Sequence, residues 1–192
     1  MDALALLEFD SIALGIVAGD AMVKTAPVTR LLAGTVQPGR YLVLAGGEVA
    51  AVQEAVAVGR AAGGAALLDV VFLPGVHPAV VEAIAAARDT APVEALGIVE
   101  CAGVAAAIHA ADAGVKGAAV TLLELRLADG LGGKGLLFFS GPVTDIEAAV
   151  EIACQAIAAG GQLLSAVVIP QLHPEMAENL LHDTRFRVRL KP

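Results

Sequence analysis

The sequence has few of the residue types on which many binding sites depend. Aromatic residues make up 3% of its 192 residues and Trp is absent, so base-stacking platforms and aromatic membrane belts are poorly supplied. Basic residues are also scarce: 12 Lys and Arg against 20 Asp and Glu give a formal charge of -8. That sign does not suit the neutralisation of phosphates or anionic lipids. We therefore expect neither nucleic acid nor a membrane as a partner.

Cysteine is equally rare, and this bears on compartment and metal binding. Cys101 and Cys154 stand far apart without a CxxC partner, which argues against a disulfide framework or a zinc site and is typical of a reducing compartment. The chain starts with acidic residues such as Asp2 and Glu8 and no basic segment before an apolar core, so we expect no secretory signal. The uncharged stretch at residues 155–172 is interrupted by glycines and a proline, which argues against a membrane span. A cytoplasmic location is the expectation.

Small apolar residues dominate what remains. Hydrophobic residues make up 57% of the chain and charged residues 17%, which excludes disorder over most of its length. The mean hydropathy of +0.77 is high for a chain without a membrane span. Such a chain is expected to cover some of its apolar surface with other subunits.

The chain contains two copies of one unit. Residues 3–29 align with residues 95–121, with 13 of 27 positions identical, including charged ones such as Asp20 with Asp112 and Lys24 with Lys116. Further on, after two shifts of two residues, His77-Pro78 aligns with His173-Pro174. We predict an α+β fold of two tandem, ferredoxin-like βαββαβ domains, residues 1–90 and 91–192. Each has one antiparallel sheet with helices on one face, followed by a short helix.

The repeated segments resemble the tandem-domain, trimer-forming bacterial microcompartment shell proteins, in particular those of propanediol-utilisation compartments. The resemblance rests on the motifs ALGIVE, QPGR, GGK and GGEV and on the DAxVK helix ends at Asp20–Lys24 and Asp112–Lys116, and extends to about residue 181. It implies that two fused domains imitate two subunits of a hexamer, so that three chains form a flat pseudohexamer in a shell with other shell proteins. It also implies a structural protein with no catalytic residues, and a central pore for small polar metabolites.

The resemblance assigns the pore rim to two loops. Glycine and proline there keep side chains out of the channel and direct backbone amides at the solute, whereas the alternative is a pair of ordinary hairpin loops. Close relatives carry a Cys at position 37 that is thought to hold an iron–sulfur cluster; Gln37 supplies no thiolate, so we expect no cluster and no other metal or cofactor. The eight predicted rim residues are Val36, Gln37, Pro38, Gly39, Gly130, Leu131, Gly132 and Gly133.

The resemblance also implies contacts between neighbouring pseudohexamers. The family's edge lysine corresponds to Lys24 and Lys116, each four residues after an Asp, a spacing that otherwise indicates only a minor helix-stabilising pair. His77 and His173 complete the predicted edge set, although the family's edge arginine is replaced here. The basic tail, residues 185–191, fits either an added edge strand or a basic arm.

Two other interpretations remain. Two ferredoxin-like halves suit a soluble ligand-binding or regulatory protein, which would bind an effector between its domains without tiling. The run Gly130-Leu131-Gly132-Gly133-Lys134-Gly135 matches the dinucleotide pattern G-x-G-x-x-G, but it precedes a predicted strand and not the helix that such a site requires.

Overall fold

The computed structural model describes residues 2–85 and 93–181 and shows the repeat as two similar units. The first copy contains β1 (Ala3–Phe9), α1 (Ile12–Thr25), β2 (Arg30–Val36), β3 (Arg40–Gly47), α2 (Val49–Gly63), β4 (Leu67–Pro74) and α3 (Pro78–Ile84). The second contains β5 (Leu96–Cys101), α4 (Val104–Gly117), β6 (Thr121–Leu127), β7 (Gly135–Ser140), α5 (Val143–Ile157), β8 (Leu163–Ile169) and α6 (Pro174–Leu181). The predicted fold class and element order are confirmed. The predicted domain boundary between residues 90 and 91 and the basic tail at residues 185–191 both lie outside the described residues.

Each copy has a four-stranded antiparallel sheet. The strand orders are β2-β3-β1-β4 and β6-β7-β5-β8, so the first strand of each copy is central. Both central strands have an irregularity in pairing at the same place, between Glu8 and Phe9 and between Glu100 and Cys101. The repeat therefore extends to the register of the central strands, although β6 on β7 has an irregularity between Leu122 and Glu124 that β2 on β3 does not have.

The two faces of the first sheet are covered by different partners. Alternating side chains of β1, among them Leu7 and Phe9, pack in one cluster with residues of α1 and α2. The opposite set, Leu4 and Leu6, packs with α3 and with a core that continues into the second copy. The sequence analysis placed the helices of the repeat on one face and did not assign the short helix to a face. In the structure α3 packs on the opposite face of β1, which is also apolar, as α6 does on β5.

Small residues allow close packing of helices on the sheets. A β-carbon added to Gly15 of α1 would lie 2.7 Å from Cδ1 of Tyr41 on β3, so only glycine leaves room for that ring. The N-terminus of α1 is capped by Ser11, whose Oγ accepts a hydrogen bond from the Leu14 amide at 3.3 Å. Among the described residues, none of the helices is both long enough and apolar enough to span a bilayer.

Candidate functional site

The first predicted rim loop is a tight hairpin between β2 and β3. Val36 and Arg40 are the last paired residues, and the Gly39 amide donates to the Val36 carbonyl at 3.0 Å. Gly39 has φ +106°, a conformation that L side chains rarely adopt, which explains its glycine. Gln37, Pro38 and Gly39 are all exposed at the tip of the hairpin.

The second predicted rim loop is longer and joins β6 to β7. Gly130, Gly132 and Gly133 have φ values of +73°, +64° and +92°, so the chain turns through conformations that favour glycine. The chain then enters β7 at Gly135, and no helix begins there. The structural context of a dinucleotide-binding loop is therefore missing.

The two loops, residues 36–39 and 130–133, are 94 positions apart in the sequence but lie side by side in the structure. A β-carbon built on Gly133 would be 2.9 Å from Cδ of Pro38 and 3.4 Å from the Gln37 carbonyl oxygen. Nη1 of Arg40 lies equally near that position, at 3.4 Å. The residues that sequence analysis assigned to one rim are thus adjacent within a single chain.

A buried carboxylate connects the two copies behind these loops. Oε1 of Glu8 accepts a hydrogen bond from Nη1 of Arg40 at 2.6 Å, and its Oε2 accepts from the Val104 amide, the first residue of α4, at 3.0 Å. Glu8 is 1% exposed. Because the carboxylate faces the positive end of the α4 dipole as well as a guanidinium, its burial is compensated on both oxygens. Glu8 and Glu100 are identical positions of the repeat, but the sequence analysis did not predict this contact.

Two of the four predicted edge residues meet at the same junction between the copies. Oδ1 of Asp112 accepts from the His77 amide at 2.8 Å, and its Oδ2 pairs with Nζ of Lys116 at 2.5 Å. His77 also caps α3, its Nδ1 accepting from the Ala79 amide at 3.3 Å. The structure therefore places Lys116 and His77 on one carboxylate.

The other two predicted edge residues lie apart in the chain. Lys24 pairs with Asp20 at 2.6 Å, and both side chains are largely exposed, at 71% and 56%. His173 precedes α6, and its Nδ1 accepts from the Glu175 amide at 3.3 Å, as His77 does in the first copy. The contact of all four residues with neighbouring pseudohexamers stays a prediction.

Neither cysteine belongs to a rim loop: Cys101 lies on β5 opposite Gly135, the first residue of β7, and Cys154 lies on α5. Cys101 is fully buried on β5, and burial, with smaller contributions from Cys154 and Glu100, raises its pKa to about 12. Burial also raises the pKa of Cys154, which lies on α5. Protonated thiols are poor metal ligands. The described residues contain no group of three or more His, Cys, Asp or Glu side chains arranged to hold a metal ion.

The elements that meet at the junction between the two copies are shielded from solvent there, whereas their counterparts in the other copy are more exposed. Ten of the fourteen residues of α4 are buried but only four of the fourteen of α1. Strand β6, which α3 covers, is buried over most of its length, whereas β2 is mostly exposed. The exposed large apolar side chains on these counterparts are Ile12, Leu14, Ile16, Val17 and Val23 of α1, Leu32 of β2, Leu163, Leu164 and Val167 of β8, and Met176 of α6.

The known proteins that this chain resembles are components of microcompartments. The family model described as "BMC domain" matches residues 3–76 and 95–172. The chain is 42% identical over 174 residues to the bacterial microcompartment shell protein PduT of Citrobacter freundii, covering 91% of this chain and 95% of that one. A solved microcompartment protein of Desulfitobacterium hafniense is 41% identical, with a TM-score of 0.80 over 93% of this chain and 99% of the other. A fused permuted hexameric shell protein of the RMM microcompartment shares the fold, with 19% identity and a TM-score of 0.58 over 82% and 84% of the two chains.

Proposed function

Since the chain belongs to the BMC-domain family and is a microcompartment shell protein with two such domains, we propose that three copies close into a pseudohexamer around a central pore. The pore passes small polar metabolites, and the protein acts in the cytoplasm, where other shell proteins are its neighbours. Its role is structural and not catalytic.

The observation that carries the proposal is the match between covered and bare surfaces. Inside the chain, β4 and α3 of the first copy receive α4 and β6 of the second. The same surfaces remain at the two ends of the chain: β8 and α6 on one, α1 and β2 on the other. Because the copies share one fold, β8 and α6 of one chain fit α1 and β2 of the next.

Such a head-to-tail contact makes a ring if the rotation closes, and an open filament if it does not. If the contact between chains repeats the one inside the chain, every domain meets its neighbour in the same way. Three chains then supply six equivalent domains. Closure covers the exposed leucine, isoleucine and valine side chains of α1 and β8, which also explains the high mean hydropathy.

The pore assignment follows from this arrangement. The two rim loops are adjacent in one chain, so in a closed ring they alternate around the axis, three of each. Their glycines expose backbone amides, which favour polar or anionic solutes. An iron–sulfur cluster does not fit these loops: neither contains a thiol, and Cys101 is buried in a sheet.

Native mass spectrometry tests the ring. We expect a species of three chains of 19.2 kDa each. A persistent monomer or dimer contradicts the ring and with it the pore.

A cross-linking experiment tests the position of the loops. In a Gln37→Cys variant, a short bis-maleimide is expected to link chains in pairs, because three copies of position 37 face one axis. Glu48→Cys is the matched control: Glu48 is also exposed but follows the far end of β3. Equal cross-linking of both variants contradicts a rim at Gln37.

A further inference from the structure

Glu100 on β5 is the counterpart of Glu8 in the second copy. Its Oε1 pairs with Nζ of Lys134 at 2.6 Å, as that of Glu8 pairs with Arg40. Glu8 also holds the N-terminus of α4, whereas the Glu100 side chain is 33% exposed. Glu100 is thus exposed on the side where, by analogy with Glu8, the first residue of a helix would bind.

That helix start is present at the other end of the chain. By the repeat, Ile12 of α1 corresponds to Val104 of α4, and Ser11 corresponds to Gly103. Ile12 is 39% exposed. We propose that Glu100 is the docking site for the N-terminus of α1 of a second copy of this chain, accepting a hydrogen bond from the Ile12 amide and one from the Ser11 hydroxyl. The proposal rests on the ring and specifies what joins its chains.

The hydroxyl contact is a feature that the internal junction does not have. A β-carbon on Gly103 would lie 3.0 Å from Oε2 of Glu8, so a side chain at this position touches the carboxylate. Between chains, Ser11 stands there. Its Oγ already accepts from the Leu14 amide, which leaves its hydrogen to donate to Glu100. A hydrogen bond to an ionised acceptor is short and strong, and offsets the small shift that the extra atoms require.

A second carboxylate supports the same docking. Asp112, whose side chain is 5% exposed, accepts from the His77 amide across the internal junction. Its counterpart Asp20 is exposed on α1, the helix that carries Ile12 near its start. The same register brings Asp20 to the backbone amide of His173 in the neighbouring copy. Two contacts about two turns apart on one helix fix its position and its direction.

The test is the dissociation of the trimer on dilution, followed by sedimentation velocity. Glu100→Ala is expected to weaken each junction roughly tenfold, the usual loss for a hydrogen bond to a charged group. Because a trimer has three junctions, its overall association constant should fall about a thousandfold. Glu147→Ala is the matched control: it removes an equal charge from an exposed position on α5, whose counterpart α2 takes no part in the internal junction.

Two further variants separate the contact from a general loss of stability. Glu100→Gln keeps an acceptor oxygen without the charge and should weaken the trimer less than Glu100→Ala. Ser11→Ala also removes a helix cap, so its coupling to Glu100→Ala in a double-mutant cycle is the informative quantity. We expect the serine to matter for association only while Glu100 is present.

The outcomes distinguish this inference from the ring itself. Suppose that the unaltered chain forms a trimer. If the trimers of both Glu100 variants dissociate over the same concentration range as the unaltered trimer, or if Ser11 and Glu100 show no coupling, the docking contact is wrong and the ring stands. If the unaltered chain forms no trimer, the ring and the contact fall together.

Discussion

The two copies share a fold but differ in what covers them. Helix α4 is buried against the first copy, and its counterpart α1 has the same length, the same Asp and Lys near its end and several bare apolar side chains. A fused pair of domains always has one junction inside the chain and one set of unmatched surfaces at its ends. The exposed apolar side chains of α1 are therefore explained by α4, whose corresponding face is buried at the internal junction.

The copies also differ inside their cores, by exchange of large and small residues. In the first copy Phe9 on β1 faces Gly63 at the end of α2, where an added β-carbon would overlap the ring. The corresponding residues of the second copy are Cys101 and Ile157, so the bulk moves from strand to helix. The packed volume is thus conserved by paired changes and not by conserved residues.

The largest effect is expected at the buried carboxylate of the internal junction. Glu8→Ala removes the partner of Arg40 and of the Val104 amide together, and should lower the free energy of unfolding by about 3–5 kcal/mol. At concentrations below association, Glu100→Ala should lower it by less than about 1 kcal/mol, because the Glu100–Lys134 pair is partly exposed. Urea unfolding measures both. Equal losses would contradict the distinction between a covered and a bare junction.

Thiol chemistry reports on the second copy alone, because both cysteines belong to it. With a pKa raised from 9.0 to about 12, the Cys101 thiolate at pH 8 is roughly a thousandfold scarcer than that of an ordinary thiol. In a Cys154→Ser variant, alkylation should be slow and should accelerate about tenfold per pH unit, since only the thiolate reacts. Alkylation at the rate of the urea-unfolded chain would show that Cys101 is not buried.

Substitutions that shift side-chain volume between positions 9 and 63 test the exchange seen at Phe9 and Gly63. Gly63→Ala should destabilise the chain by about 1–3 kcal/mol because the new methyl group overlaps a rigid ring. Phe9→Cys alone leaves a cavity and should cost about 3 kcal/mol. The double variant Phe9→Cys/Gly63→Ile reproduces the second copy and should cost clearly less than the two single changes together, as measured by urea unfolding. Additive losses would show that the two positions do not compensate each other.

Much of this architecture is predictable from sequence because the repeat allows each element to be recognised twice. The predicted order of strands and helices in each copy is the observed one, and the loop before Gly135 leads into a strand as expected. The roles of Glu8 and Asp112 were not predicted. Each binds a backbone amide more than 30 residues away, and backbone amides are the same for every sequence. The register of one copy on the other, which decides those contacts, is a property of three-dimensional packing.

The smallest effect differs in sign between two glycines of one helix. Both Gly15 and Gly19 of α1 correspond to alanines in α4. At Gly15 the methyl group meets Tyr41, so Gly15→Ala should lower stability by about 1–2 kcal/mol. At Gly19 an added β-carbon lies 3.5 Å from the Val43 side chain, an ordinary contact, so Gly19→Ala should raise stability by about 0.4–1 kcal/mol through the entropy of the unfolded chain. In the second copy Gly135 replaces the tyrosine, which is why an alanine fits α4 at the position of Gly15. Thermal unfolding at one protein concentration compares the two variants, and a shift of the same sign in both would mean that helix propensity, and not the facing strand, decides where this repeat carries glycine.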